Sequence, residues 1–326
     1  MSEPTYRKVR SLILANKFIT AGLILVIFDI ALGVIGQFWT PYSLSQTFGI
    51  SQPPSWAHIL GTDEFGHDVL SVMLASTLPT LEIGFAAGLF TSIVATLAGI
   101  VGGYYGGKIS GVVLDVVTTT MLTIPGIVLL VVIASYFRAG SVSVNVALGY
   151  VIVIVGLAIT SWAFGAKQIR AQVLSLSKRD YIIASRLLGE KSWRIIFTQI
   201  LPPILPLFFA QFLFNTLYGI LSLATAEYWG VLPANINNLG VMLFYIASNG
   251  AYLSNQWWWI LGSIIPIIIL GAGLGLINIG IDEFIDPRLK EVKPIAVPDV
   301  IKIPIEEERV EEIPISAITP QQRGRA

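Results

Sequence analysis

Residues 180–202 read Asp-Tyr-Ile-Ile-Ala-Ser-Arg-Leu-Leu-Gly-Glu-Lys-Ser-Trp-Arg-Ile-Ile-Phe-Thr-Gln-Ile-Leu-Pro, a polar segment between two long apolar runs. Seven Lys and Arg residues lie between Lys167 and Arg194, and only Asp180 and Glu190 oppose them. Because cations accumulate in the cytoplasmic loops of membrane proteins, the segment is predicted to be cytoplasmic. A segment this polar between apolar runs also predicts that another protein docks on it.

The composition is that of an integral membrane protein. Of 326 residues, 54% are hydrophobic and 12% are charged, whereas soluble domains have about 25% charged residues. The chain has no Cys, which excludes disulfides, thiolate nucleophiles and Cys-ligated metals. It also lacks the Gly-x-x-x-x-Gly-Lys-Ser/Thr motif that cradles phosphates. Any energy from ATP must therefore come from other subunits.

Six apolar runs are long enough to cross about 30 Å of hydrocarbon as helices. They cover approximately 18–40, 81–105, 110–137, 143–166, 203–228 and 257–280. The sequence therefore predicts an all-α polytopic membrane protein with six transmembrane helices. Pro125 and Pro266 are expected to kink or interrupt their spans.

The distribution of cations predicts the orientation of these spans. Nineteen of the 20 Lys and Arg residues lie before the first span, in the loops after the second and fourth, or after the last. The exception is Arg138, and the loops 41–79 and 229–256 contain none. This asymmetry predicts that both termini are cytoplasmic.

The predicted organisation is sequential. A cytoplasmic arm, 1–17, and a first helix, 18–40, are followed by an extracytoplasmic loop, 41–79. A core of five helices, 80–285, contains the docking loop 167–202. The tail, 286–326, is rich in Pro and Glu and is predicted to be an extended cytoplasmic arm.

A short helix with small residues on one face could fit a groove on a partner protein. Ala184 and Ser185 supply small side chains, Gly189 lets the chain turn at a helix end, and Arg186 could pair with acidic residues. The alternative is an ordinary cytoplasmic loop whose cations only orient the chain. The candidate docking residues are Ala184, Ser185, Arg186, Leu187, Leu188, Gly189 and Glu190.

Four blocks together resemble one branch of the ABC importer permeases. Residues 180–202 resemble the loop on which ATPase subunits dock, and residues 60–71, Leu-Gly-Thr-Asp-Glu-Phe-Gly-His-Asp-Val-Leu-Ser, resemble a block before the second span. Residues 102–107 resemble a Gly-Tyr-x-Gly-Gly turn, and Asp-Pro-Arg-Leu-Lys at 286–290 resembles the usual ending. The branch contains the second permease subunits of dipeptide, oligopeptide and nickel importers.

This resemblance implies a type I ABC importer permease fold in the inner membrane. It implies a homologous permease partner, two ATPase subunits that carry ATP and Mg²⁺, and an extracytoplasmic solute-binding protein. It implies no cofactor bound by this chain and no nucleic acid, and membrane lipid surrounds the spans.

The chain departs from the pattern of the branch at several positions. Ile183 stands where the docking loop usually has Glu, and His67 stands where the outer block has Arg. Leu223 replaces a Glu near the end of the fifth span, with Glu227 one turn later. The resemblance implies an oligopeptide as substrate. The branch also serves nickel, which is one alternative. The missing Glu, the neutral loop 229–256 and the tryptophans at its two ends, Trp229 and Trp257 to Trp259, favour a β-gluco-oligosaccharide as another.

Four polar residues in or beside the spans are candidates for the substrate pathway: Gln211, Asn215, Glu227 and Asn278. Gln211 and Asn215 share a helix face at i, i+4 spacing, and the resemblance implies that this span lines the pore. The alternative is that such residues form hydrogen bonds between helices.

Enzymatic chemistry finds little support in the sequence. Two histidines, His58 and His67, lie near three acidic residues in the sequence: Asp63, Glu64 and Asp68. Two His without Cys provide few strong ligands for a transition metal. No span contains a His that could activate a serine nucleophile. The sequence therefore predicts neither a catalytic nor a metal site. A channel or scaffold that needs no ATPase remains the competing hypothesis.

Overall fold

The computed structural model describes residues 16–139, 146–230 and 237–285, and within these ranges the fold is helical. The helices are α1 (Lys17–Phe38), α2 (Val69–Tyr104), α3 (Ile109–Thr123), α4 (Gly126–Ala139), α5 (Val146–Leu176), α6 (Asp180–Leu187), α7 (Ser192–Ile195), α8 (Leu201–Tyr228), α9 (Leu239–Ser248) and α10 (Trp257–Ile285). A π-helical turn, Ile196–Ile200, joins α7 to α8. The predicted tail, 286–326, and nearly all of the N-terminal arm lie outside the described residues.

Among the described residues, four helical stretches are long and apolar enough to cross a membrane: α1, α2, α7 with α8, and α10. A fifth is obtained if α3 and α4 form one span. The prediction of an all-α protein with several spans is thus confirmed. The number six and the cytoplasmic location of both termini stay predictions.

Helix α2 begins earlier than the hydropathy of the sequence indicates. It starts at Val69, so the last eleven residues of the predicted loop 41–79 are helical. The Asp68 side chain caps it by accepting a hydrogen bond from the Ser71 backbone N–H at 2.9 Å. Its first turns bury polar side chains such as Thr77 and Thr80. The boundary was misplaced because this part of the helix is covered by protein, so it does not need an apolar surface.

The third predicted span, 110–137, is not one straight helix. Helices α3 and α4 meet at an angle of 82°. The break falls at Ile124 and Pro125, where Ile124 is extended, with φ −91° and ψ 121°, as residues before proline prefer. The expected interruption at Pro125 is confirmed, whereas α10 continues through Pro266.

Small residues allow the long helices to pack closely. Helix α2 contacts α1, α5 and α8, and α1 also packs along α10. A Cβ atom on Gly88 would lie 2.7 Å from the backbone nitrogen of Thr216 in α8. A Cβ atom on Gly22 of α1 would lie 2.9 Å from the backbone nitrogen of Ile277 in α10. These glycines therefore set the separation of the helices.

Contacts between helix termini define two ends of the helix bundle. The Asn16 side chain caps α1 and donates to Glu283 Oε2 of α10 at 2.9 Å. At the other end, Trp258 Nε1 of α10 donates to the carbonyl oxygen of Thr62, just before α2, at 3.1 Å. The end marked by the Trp258 contact, with residues 39–68 and α9, is called the loop end. The end marked by the Asn16 contact is called the docking end, because α6 lies there, as shown below.

Candidate functional site

Helix α6 has one face packed against the protein and one face exposed. Ile182 is fully buried in an apolar cluster that includes Ile195 and Ile200. In contrast, Leu187 is 84% exposed and Leu188 is 88% exposed. Two neighbouring leucines at this exposure form an apolar surface at the end of a short helix, which suits contact with another protein.

Gly189 ends this helix in the geometry of a Schellman motif. Its φ is +78°, a left-handed conformation that glycine adopts without steric cost. The Glu190 N–H donates to the Ser185 carbonyl at 3.0 Å, and the Gly189 N–H donates to the Arg186 carbonyl at 3.1 Å. No atom lies within 4 Å of a Cβ built on Gly189. The prediction of a turn at Gly189 is confirmed. Glycine is favoured there because the backbone is left-handed, and not because a larger side chain would clash with neighbouring atoms.

The side chain of Gln199 connects this turn to the start of α8. Its Nε2 donates to Ser185 Oγ at 2.8 Å and to Glu190 Oε2 at 3.0 Å. Arg194 Nε is 3.1 Å from Glu190 Oε1. Two of the candidate docking residues, Ser185 and Glu190, are therefore half-buried and held within the chain. We call Gln199 and these two partners the latch.

Arg186 connects α6 to α2. Its guanidinium carbon lies 4.4 Å from the ring centroid of Tyr104, the last residue of α2, within the distance of a cation–π contact. Since the first residue of α2, Val69, lies at the loop end, Tyr104 and α6 lie at the docking end. Asn16 and Glu283 share this end. The outward-facing candidate docking residues are thus Ala184, Leu187, Leu188 and Gly189, with Arg186 beside them.

Gln211 and Asn215 both point from α8 into neighbouring helices. Gln211 Nε2 donates to Gln168 Oε1 of α5. Asn215 Nδ2 donates to Ser92 Oγ of α2 at 2.9 Å. Each is only 5% exposed, so both join helices in the way that the alternative interpretation expects. Asn215 also borders a cavity of about 240 Å³ that is formed by α3, α4, α5 and α8.

Glu227 lies near the loop end, at the end of α8. It is 3% exposed and accepts a hydrogen bond from Asn238 Nδ2 at 2.6 Å. Asn238 Oδ1 in turn caps α9 by accepting from the Val241 N–H at 2.8 Å. Asn278 borders a different cavity, between α8 and α10. The structure therefore does not gather the four candidate pathway residues around one cavity.

The two histidines in the segment before α2 form separate pairs with carboxylates. His58 Nδ1 is 3.0 Å from Asp68 Oδ1, and His67 Nδ1 is 3.2 Å from Asp63 Oδ2. Within 16–139, 146–230 and 237–285, no three His, Asp or Glu side chains are grouped so as to hold a metal ion. Both pairs instead hold the fold of the segment before α2.

Several residues at these sites were not singled out from the sequence: Tyr104, Gln168, Ser92 and Gln199. Each forms its contact with a residue at least nine positions away on another helix or turn. Tyr104 had one signal, since it belongs to the glycine-rich turn block 102–107, but nothing in that block indicates Arg186 as its partner.

Comparison with known proteins finds relatives that are transport proteins. Residues 95–291 match the family described as the binding-protein-dependent transport system inner membrane component. The chain is 27% identical to the dipeptide transport system permease protein DppC of Bacillus subtilis, over 84% of this chain and 83% of that protein. It is 25% identical to the oligopeptide transport system permease protein OppC of the same organism, over 85% and 88%. Among solved structures, the MetNI methionine ABC transporter in an inward-facing conformation matches with a TM-score of 0.48 and 20% identity, over 64% of this chain and 96% of that one.

Proposed function

Because the chain belongs to the family of binding-protein-dependent transport system inner membrane components, we propose that it is the second permease subunit of an ATP-driven peptide importer. In this proposal a homologous permease completes the solute pathway, and an extracytoplasmic binding protein delivers the solute. Two ATPase subunits hold ATP and Mg²⁺, and one of them docks on α6. This chain carries no catalytic residue.

The observation that carries the proposal is the geometry of α6. An exposed pair of leucines and a turn at Gly189 face outward, while Ile182, Arg186 and the latch fix the opposite side to the bundle. A displacement of α6 by a docked ATPase would therefore be passed to α2 and α8 rather than absorbed by a loose loop. Rigid contacts of this kind are needed when one domain moves another.

Peptide is the substrate class that we infer. The two relatives named above are permeases of dipeptide and oligopeptide systems. The oligosaccharide alternative depended in part on a cluster of tryptophans at the loop end. Two of them serve packing in this structure, since Trp259 is 1% exposed and Trp258 bonds to the Thr62 carbonyl.

The test uses the complete importer in vesicles, with uptake of labelled peptide and ATP hydrolysis measured together. Gly189→Val should abolish uptake, because a β-branched residue at φ +78° costs about 1–2 kcal/mol and disrupts the turn. Gly189→Asn should retain most uptake, because Asn tolerates the left-handed conformation.

A second pair of variants separates docking from folding. Leu188→Asp should uncouple hydrolysis from uptake without preventing membrane insertion. Leu253→Asp is the matched control, since Leu253 is 81% exposed at the loop end. Wild-type coupling in both Gly189→Val and Leu188→Asp would refute docking on α6. Uptake that continues without the ATPases would favour a channel or scaffold.

A further inference from the structure

A cavity of about 310 Å³ lies at the loop end, between the segment before α2 and the helices α2, α9 and α10. Its lining includes Phe65, His67, Ser76, Tyr245 and Trp259. Four separate parts of the chain contribute to it, so it is formed by the tertiary fold rather than by one loop. The cavity is separate from the contacts described at the docking end.

Aromatic rings form a large part of the wall. The rings of Phe65 and Tyr245 meet edge to face, with centroids 5.3 Å apart and an interplanar angle of 79°. The ring of His67 lies 6.1 Å from that of Phe65, and Trp259 supports Phe65 from 6.4 Å. Phe65 is 44% exposed, so a large part of its ring is free to meet a ligand. An exposed aromatic ring can attract a cation through its π face.

His67 supplies a hydrogen-bond acceptor beside these rings. Asp63 is held by the Phe65 and His67 backbone N–H groups at 2.9 and 2.7 Å, and its second oxygen faces His67 Nδ1 at 3.2 Å. A carboxylate only accepts hydrogen bonds, so a neutral His67 carries its proton on Nδ1. The lone pair of Nε2 is then left for a ligand that carries an N–H group.

The charge of the loop end favours a cation. No Lys or Arg occurs between Lys17 and Lys108, or in the stretch 229–256. The charged residues of the segment before α2 are Asp63, Glu64 and Asp68. The two stretches 18–107 and 229–256 that form most of the cavity wall therefore present acidic residues and no cation to a positively charged group, which raises its local concentration.

We propose that this cavity binds the free ammonium group of an incoming peptide, through the rings of Phe65 and Tyr245 and the Nε2 atom of His67. The inference rests on the proposed function and adds to it a contact site for the substrate on this chain. A group with three N–H donors and a positive charge satisfies the acceptor and the rings together. A neutral sugar lacks that charge.

The experiment uses the importer of two permeases and two ATPases in lipid nanodiscs, without the binding protein, titrated by calorimetry. The probes are tri-alanine, N-acetyl-tri-alanine and cellotriose. Tri-alanine should bind, N-acetyl-tri-alanine should bind about tenfold more weakly or not at all, and cellotriose should not bind. Phe65→Leu should weaken tri-alanine binding about fivefold, whereas the matched Phe65→Tyr should not, because only the first removes the ring.

Any one of four results would overturn the proposal. They are equal binding of both peptides, binding of cellotriose, absence of any binding, and tri-alanine affinity in Phe65→Leu equal to that of the wild type. ATP-driven uptake of tri-alanine by the complete system, measured in parallel, separates this outcome from a failure of the proposed function. Uptake without the predicted binding refutes only the cavity. Failure to take up any peptide refutes the proposed function as a peptide importer.

Discussion

Replacing Gln199 with Ala should loosen the turn at Gly189 that ends α6, without unfolding the helices around it. The substitution removes the contacts of the Gln199 amide with Ser185 Oγ, at 2.8 and 3.3 Å, and its hydrogen bond to Glu190, at 3.0 Å. A hydrogen bond of this kind contributes about 0.5–1.5 kcal/mol, with more for a charged acceptor such as Glu190. The expected loss is about 2 kcal/mol, which corresponds to about a 30-fold increase in the population of the opened turn.

Hydrogen exchange measures this opening directly. The amides of Leu188, Gly189 and Glu190 donate to carbonyls of α6, so their exchange should accelerate by about 30-fold in Gln199→Ala, provided that exchange follows local opening. Ser185→Ala removes the contacts with Ser185 but keeps the hydrogen bond from Gln199 to Glu190, so it should give a smaller acceleration. The importer carrying Gln199→Ala should also hydrolyse ATP with less uptake per cycle.

Thr198→Ala is the matched control for this prediction. Thr198 lies in the same π-helical turn, but its hydroxyl donates to the Arg194 carbonyl at 2.7 Å and does not reach α6. Unchanged exchange at 188–190 in Gln199→Ala would refute the latch. An equal acceleration in Thr198→Ala would show that the turn as a whole, rather than Gln199, fixes α6.

Two further perturbations concern the bundle itself. Gly88→Ala should lower stability by about 1–3 kcal/mol, because its Cβ atom would lie 2.7 Å from a backbone nitrogen of α8. Gly275→Ala, which meets no atom within 4 Å, should be neutral, and thermal unfolding in detergent compares the two. Asn238→Ala should lower the unfolding temperature, because it removes both the donor to the buried Glu227 and the N-cap of α9, at a cost of about 1–3 kcal/mol. A thermal midpoint equal to that of the wild type would show that Glu227 has found another donor.

Local sequence signals predicted what depends on local chemistry. Gly189 indicated a helix end because a left-handed residue ends helices, and Pro125 indicated a break because proline cannot continue the hydrogen-bond ladder. Hydropathy found the approximate positions of the spans. It misplaced the start of α2 because Ser71, Thr77 and other polar side chains there are buried against protein.

The contacts that join distant parts of the chain could not be predicted in the same way. Gln211 was recognised as a polar residue inside a span, but its partner Gln168 lies 43 residues away. The ring of Tyr104 beneath Arg186 depends on how α2 and α6 meet. Such pairs are set by tertiary packing, and neither periodicity nor composition specifies them.

Helix α2 is the element that joins the two candidate sites. Its 36 residues correspond to about 54 Å at 1.5 Å per residue. Its last residue, Tyr104, lies beneath Arg186 of the docking helix. Its N-cap, Asp68, is paired with His58 at the loop end, and Ser76 near its start borders the cavity. By contrast, the span formed by α3 and α4 is bent by 82°. We expect a displacement of α6 to be passed along α2 and to change the cavity where the ammonium group is proposed to bind.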